Sequence, residues 1–307
     1  MPDAASPSET ALLLAAVQRL EERLAGQEQR LDQLLQATRL AHDDDRGMRE
    51  ALRAARAAPD YEASFDDPDP LVSILIGTWN NVQGLTEHSL PSALAQTYRN
   101  IEVVVVGDAA PAAVEEAVRD AGDARVRFVN TTVRGPYEPD PRTAWLASGT
   151  PPFNLAARLA RGRWIAPLGD DDALAPDHVE RLLAHARAEH LEFVYGRFRV
   201  SAPGRPAEVK GVFPPELGQI ALQAALYHQG LRCFELELGD AIFETPNDWG
   251  LVRRMLRAGV RFGMIDAVVA EYFPSMRHEL PRAGRPPVEG DVVTDLLARV
   301  AELERRL

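Results

Sequence analysis

The sequence predicts an α/β fold: a Rossmann-like, mostly parallel sheet flanked by helices, with an N-terminal helical (coiled-coil) extension. Three observations carry this. From Leu71 onward, short apolar runs alternate with helix-forming stretches, the pattern of βαβ units. The first run, Leu71-Val72-Ser73-Ile74-Leu75-Ile76, is continuously apolar, as in strands buried on both faces. Before the domain, Leu13, Val17, Leu20, Leu24, Gln27, Leu31 and Leu34 follow steps of four and three, a heptad seam with one polar position. With 307 residues, 46% of them hydrophobic, the chain can bury a substantial core.

Residues 1–58 read as the helical segment. One reading is an amphipathic helix on the domain's own surface. The other, preferred because the segment precedes the domain, is a coiled coil that makes a homo-oligomer. Asp43-Asp44-Asp45 and the stretch 59–70 read as solvated linker. The domain spans 71–275, with halves 71–200 and 201–275. After the first strand come a helix over 85–96, a strand over 101–106, a helix from Pro111, which is suited to a first turn, and a strand over 126–129. The long irregular piece 130–150 has the length of a functional loop. A helix over 152–160, a strand over 164–168, a helix from Pro176 and a strand over 192–195 follow. The second half predicts a helix over 248–257 and strands near 261–265 and 267–272. Residues 276–307 read as a mobile loop and a C-terminal helix with heptad spacing at Val293, Leu296, Val300, Leu303 and Leu307.

Composition excludes several classes. There are 34 basic and 46 acidic residues, a net charge of −12, and Lys210 is the only lysine. Such a chain is a poor general binder of nucleic acid or anionic membrane. A single cysteine, Cys233, excludes an internal disulfide framework, and it reads as a small buried hydrophobe. No apolar run approaches the ~20 residues of a membrane span. Met1-Pro2-Asp3-Ala4 lacks the layout of a signal peptide. The expected compartment is the cytoplasm.

In an open parallel sheet, ligands bind beyond the carboxyl ends of the strands. Three strands end there in polar residues: Gly77-Thr78-Trp79-Asn80-Asn81, Gly107-Asp108-Ala109 and Gly169-Asp170-Asp171-Asp172. Three adjacent aspartates after a buried strand repel one another unless a cation intervenes. A hard divalent ion with oxygen ligands resolves this, bridging carboxylates to phosphates. The alternative for Asp172 is a cap or first-turn residue of the helix near Pro176.

These motifs resemble those of the family-2 glycosyltransferases, which have the GT-A fold. Leu71 to Asn80 resembles the family's opening strand, Ser92 to Val106 its helix and second strand, and Asn154 with Ala160 to Ile165 the stretch before the metal motif. Asp170-Asp171-Asp172 stands at the Asp-x-Asp-Asp position. The likeness is good over Leu71–Tyr195 and continues more weakly to Tyr272. Gly77, Gly107 and Gly169 depart from it.

The resemblance implies sugar transfer with inversion from a nucleotide diphosphate donor, assisted by Mn²⁺ or Mg²⁺. UDP is the first expectation for the nucleotide, with GDP or dTDP after it. Thr78, Asn80 and Asp108 would lie near base and ribose, with Asn154 and Asp170 also on the donor side. Asp171 would be the main metal ligand, with Asp172 or Asp170 in support. A base must take the acceptor proton; Asp248 matches the family's acidic motif, and Glu244 is the fallback. A helix cap is the competing role for Asn247 or Asp248. Arg277 and His278 read as a solvated pair that could also fold over the diphosphate. Aromatic residues in 130–150 (Tyr137, Trp145) and 212–233 (Phe213, Tyr227, His228) are candidate acceptor surfaces. The rival reading is a catalytically impaired transferase-like subunit that acts as a scaffold through its coiled coil.

Overall fold

A computed structural model describes residues 9–137, 139–243 and 245–274. The chain enters through α1 (Glu9–Arg56), a 48-residue helix. It runs straight through Asp43–Asp45, so these aspartates are helix and not linker. Asp45 lies 2.5 Å from the guanidinium of Arg257. Further along, Leu52 is buried, and Arg56 makes two 2.7 Å bonds to the Glu192 carboxylate. The stretch 59–70 is likewise more than linker. It forms a short helix, α2 (Ala63–Asp66), whose Phe65 is buried against Trp164 and whose Ser64 carbonyl accepts the Trp164 indole N–H.

The sheet comes next. Its strands are β1 (Val72–Thr78), β2 (Ile101–Gly107), β3 (Val126–Asn130), β4 (Trp164–Gly169), β5 (Ala173–Leu174), β6 (Phe193–Val200), β7 (Glu208–Lys210), β8 (Ala225–His228) and β9 (Phe262–Tyr272). Among the described residues they form one nine-stranded sheet in the order β3-β2-β1-β4-β8-β6-β9-β5, with β7 on β6. The β3-β2-β1-β4 half is parallel, as expected. The other half departs from a simple doubly wound sheet: β8 is antiparallel to both β4 and β6, and β5 to β9. The two strands expected within 261–272 are one strand, β9, which shifts register against β6 near Gly196–Phe198.

Each buried strand feeds two cores with its period-2 alternation. Ile74, Ile76, Val103 and Val105 enter one core; Leu75, Val104 and Val106 enter the other. Helices cover both faces. Val82–Gly84 (α3) passes through a π-helical turn, Leu85–Ser89, into α4 (Leu90–Leu94). Then come α5 (Ala112–Asp120), α6 (Pro141–Leu146), α7 (Thr150–Leu159), α8 (His178–Ala188) and α9 (Asn247–Ala258). Among the described residues, no helix is long and apolar enough to cross a membrane.

Two smaller expectations change. Cys233 is exposed, its thiol donating to the Gly230 carbonyl in a 3₁₀ turn. Tyr227 and His228 belong to buried β8, which leaves Phe213 as the exposed aromatic of that segment.

Candidate functional site

β1 and β4 pair in parallel with Gly77 opposite Gly169, so Thr78 and Asp170 emerge side by side. The Thr78 hydroxyl donates to Asp170 Oδ2 at 2.6 Å, and Asn81 Nδ2 donates to Asp170 Oδ1 at 3.3 Å. Asn81 also caps α3, accepting the Gly84 N–H at 3.1 Å. A Cβ on Gly84 would sit 2.6 Å from the Asp170 carbonyl oxygen and 2.9 Å from Asp171 Cα. The first helix therefore packs backbone to backbone on the aspartate loop. The adjoining turn is π-helical, a distortion frequent at functional sites.

Asp172 is buried at 4% exposure, and its Oδ1 accepts the Phe273 N–H at 3.1 Å. β5 follows it directly, and α8 begins only at His178. Asp172 is thus not a cap or first-turn residue of that helix. A Cβ on Gly169 would meet Asp172 Oδ2 at 2.6 Å and Asp171 Oδ1 at 3.2 Å. Glycine here gives the two carboxylates room to converge over the end of β4.

The electrostatics of the cluster are unsatisfied. Burial, aggravated by Asp171, lifts the Asp170 carboxyl to about 6. Burial raises Asp171, partly relieved by its own backbone and by His88. Burial and then the Asp171 charge push Asp172 well above the usual carboxylate range. Among the described residues no ion pair reaches any of the three. Converging, charge-starved oxygen donors fit a hard divalent cation. Among the described residues no group of three or more acidic, His or Cys side chains closes around a metal by itself, so diphosphate oxygens and water would complete the shell. Asp171 and Asp172, whose carboxylates converge over Gly169, are the residues that could hold such an ion.

Asp108 lies at the neighbouring strand end, its N–H donating to the Thr78 carbonyl at 2.8 Å. It is 3% exposed, and its carboxylate accepts the Gly135 N–H at 2.8 Å and the Tyr137 hydroxyl at 2.7 Å. In this structure Asp108 therefore anchors the 130–140 loop. Arg134 of that loop stacks over the half-exposed Trp79 ring at 3.4 Å. Asn80 is exposed beside it. Asn154, on α7, has both ends of its amide engaged with the Leu236 backbone, each at 2.9 Å.

Asp248 sits in the first turn of α9, which Pro246 caps without a side-chain bond. Its Oδ1 accepts the Trp249 N–H at 2.6 Å. Burial lifts its carboxyl to about 6, partly opposed by the Trp249 N–H and reinforced by Asp240. Asn247 pins the turn by donating to the Thr150 hydroxyl at 2.7 Å. Tyr272 is the last residue of β9. Burial raises its hydroxyl pKa, and the charges of Asp172, Asp171 and Asp248 raise it further. The stacked rings of His88 and Phe273, 4.5 Å apart, flank the same aspartates. Glu244, Arg277 and His278 lie outside the described residues.

Sequence reasoning did not single out Asn81, Arg134 or His88. Asn81 carried a usable signal, an asparagine three residues before Gly84 at a helix start. Arg134 and His88 had none, since their partners are distant in sequence.

The family model described as glycosyl transferase family 2 matches residues 152–233. The succinoglycan biosynthesis protein ExoO of Rhizobium meliloti is 33% identical over 123 residues, 40% of this chain and 31% of that protein. The Escherichia coli enzyme WfaP, a UDP-Glc:α-D-GlcNAc-diphosphoundecaprenol β-1,3-glucosyltransferase, is 27% identical over 155 residues, 50% of this chain and 55% of that one. The chain thus spans about a third and about half of these relatives. S. aureus TarS, in its structure with UDP-GlcNAc, superposes with a TM-score of 0.53 at 13% identity, over 66% of this chain and 58% of TarS. That likeness shows a shared fold. Over these stretches the chain is similar to glycosyl transferase family 2.

Proposed function

We propose that this protein transfers a hexose, with inversion, from a nucleoside diphosphate sugar to an acceptor hydroxyl in glycan biosynthesis. The observation that carries the reading is the convergence of Thr78, Asp170, Asp171 and Asp172 at the ends of β1 and β4, with Asp248 sharing Tyr272 as an electrostatic neighbour. A UDP sugar is the first expectation for the donor. The WfaP name specifies UDP-Glc, and TarS binds UDP-GlcNAc.

Asp171 and Asp172 would hold a divalent cation, and that cation would supply positive charge against the leaving diphosphate. Asp170, steadied by Thr78 and Asn81, keeps the loop in position. Asp108 and Asn80 contribute at the base and ribose side, and Asn154 braces the donor side through α7. Asp248 takes the acceptor hydroxyl proton. Its pKa of about 6 leaves it ionised at neutral pH yet more basic than an ordinary aspartate.

The test is release of nucleoside diphosphate from UDP-, GDP- and dTDP-sugars, with Mn²⁺ or Mg²⁺ and with candidate glycan acceptors. Release with one base and dependence on the cation support the reading. No release from any donor, with no melting shift from any nucleotide, sinks it. A second reading has one observation behind it: Gly169 stands where the family motif carries an acid. In that case the chain is a catalytically impaired scaffold subunit. Nucleotide-dependent stabilisation without turnover is its signature.

A further inference from the structure

One stripe of α1 meets two environments. In its last turns, Met48, Leu52 and Ala55 lie at heptad steps and pack into the domain, Leu52 at 1% exposure. The same steps traced upstream reach Thr38, Leu34, Leu31, Gln27, Leu24 and Leu20. There the leucines face water: Leu20, Leu24 and Leu31 are 62, 58 and 62% exposed and Leu34 is 44%. Thr38 returns its hydroxyl to the Leu34 carbonyl at 2.8 Å, which leaves its methyl group for packing. A solvated helix with an uncovered leucine row is marginal alone, because most helix stability comes from packing an apolar face.

The flanking charges identify what covers it. With Leu24 and Leu31 at a and Leu20, Gln27 and Leu34 at d, Arg23 and Arg30 occupy g, and Glu21 and Glu28 occupy e. A parallel second helix sets Arg23 beside the partner's Glu28, and symmetry repeats the pair. An antiparallel one sets arginine against arginine and glutamate against glutamate. Gln27 in a parallel pair meets its own copy, and one polar seam residue fixes register at some cost in stability.

We propose that a second copy of this chain covers the leucine stripe, forming a parallel, in-register, two-stranded coiled coil upstream of Asp45. The chain's own domain already occupies the stripe from Met48 onward, so the pair ends there and both catalytic domains sit at the same end of the rod. This goes beyond the proposed transfer reaction and does not depend on it.

The experiment uses the full chain with exposed Cys233 changed to serine. Light scattering at tens of micromolar is expected to give the mass of two copies. Leu24→Glu with Leu31→Glu is expected to give one copy while the domain's melting temperature is unchanged. Leu20→Cys alone is expected to oxidise to a covalent dimer, since facing d positions lie within disulfide reach. A monomeric parent chain overturns the proposal, whether the stripe is covered by residues 293–307 of the same chain or by nothing. A mass of three or more copies also overturns it. So does cross-linking only between Leu20→Cys and Leu31→Cys copies, the antiparallel result.

Discussion

The two ends of the sheet treat buried carboxylates in opposite ways. At the amino ends of the strands, Glu102 and Glu192 are 2% and 0% exposed, yet each brings its own cations. Glu102 accepts from the Ser73 hydroxyl, the Arg161 N–H and the Arg127 and Arg161 guanidinium groups, all at 2.6–2.9 Å for the closest contacts. Glu192 accepts two bonds from Arg56, one from the Tyr61 hydroxyl and one from the Arg261 N–H. Burial pushes both carboxyls up, but these donors outweigh it and leave both lowered. At the carboxyl ends, Asp170–Asp172 are raised and no ion pair among the described residues reaches them. The glutamates are staples: one ties β1, β2 and the approach to β4, the other ties α1 to the start of β6. The aspartates have the character of a candidate site, because among the described residues no cation balances them.

The contrast predicts different losses. Asp171→Ala and Asp248→Ala should each lower sugar transfer by about 10²–10⁴-fold, the range for removing a group that acts on the reacting centre. Melting should barely change, since neither side chain holds elements together. Retention of full transfer by both variants would break the site half of the comparison. Activity of the parent should also fall as pH drops through about 6, where Asp248 takes up its proton.

Glu192→Ala should do the reverse. It leaves the Arg56 guanidinium and the Tyr61 hydroxyl without their partner, a loss of about 3–5 kcal/mol for a broken buried pair. Urea unfolding measures it. Transfer per folded molecule should be unchanged, and a fall in turnover without a fall in stability would contradict the staple reading.

Supplying the missing charge gives a smaller effect. With Mn²⁺ and the matching nucleoside diphosphate at one hundred times the dissociation constant, the gain is about 2.7 kcal/mol. For a domain of this size that is a melting shift of roughly 5–10 °C. Asp171→Ala should lose the shift and Glu102→Gln should keep it.

The same contrast separates the parts of the molecule that are legible in the sequence from those that are not. The strand ends are legible because continuous apolar runs mark buried strands, and the residues just after such a run lie at the rim of the sheet. That reasoning places Thr78, Asp108 and the aspartate triplet correctly on the rim. It fails where partners are remote. Nothing near Asp108 announces that Tyr137 will occupy its carboxylate, and nothing near Glu192 announces Arg56, 136 residues away. Asp43–Asp45 resemble a solvated linker by composition, but the helix carries through them and Arg257 receives Asp45. The antiparallel β8 lies in an irregular half, where a four-residue run reports burial but not direction.

Asp172→Asn sharpens the comparison most finely, because it changes charge with little change in shape. The asparagine oxygen can still accept the Phe273 N–H that Asp172 Oδ1 accepts now. A carboxyl whose folded pKa is raised binds its proton more tightly when folded. It therefore favours the folded state below the unfolded value of about 4, and that contribution is lost as pH rises through the folded pKa. Asp172 is raised chiefly by burial and then by Asp171. Without cation, Asp172→Asn should thus be more stable than the parent at pH 8 by about 1–2 kcal/mol, and the advantage should shrink as pH falls. Glu192, with its lowered pKa, has the opposite slope: its contribution is present above the unfolded value and lost as pH falls through the folded one. Paired denaturation series from pH 5 to 8 measure both. The asparagine variant should also lose the parent's stabilisation by Mn²⁺. A variant that is less stable than the cation-free parent at pH 8 would mean that Asp172 already has its counter-charge within the chain, and the two ends of the sheet would then be alike.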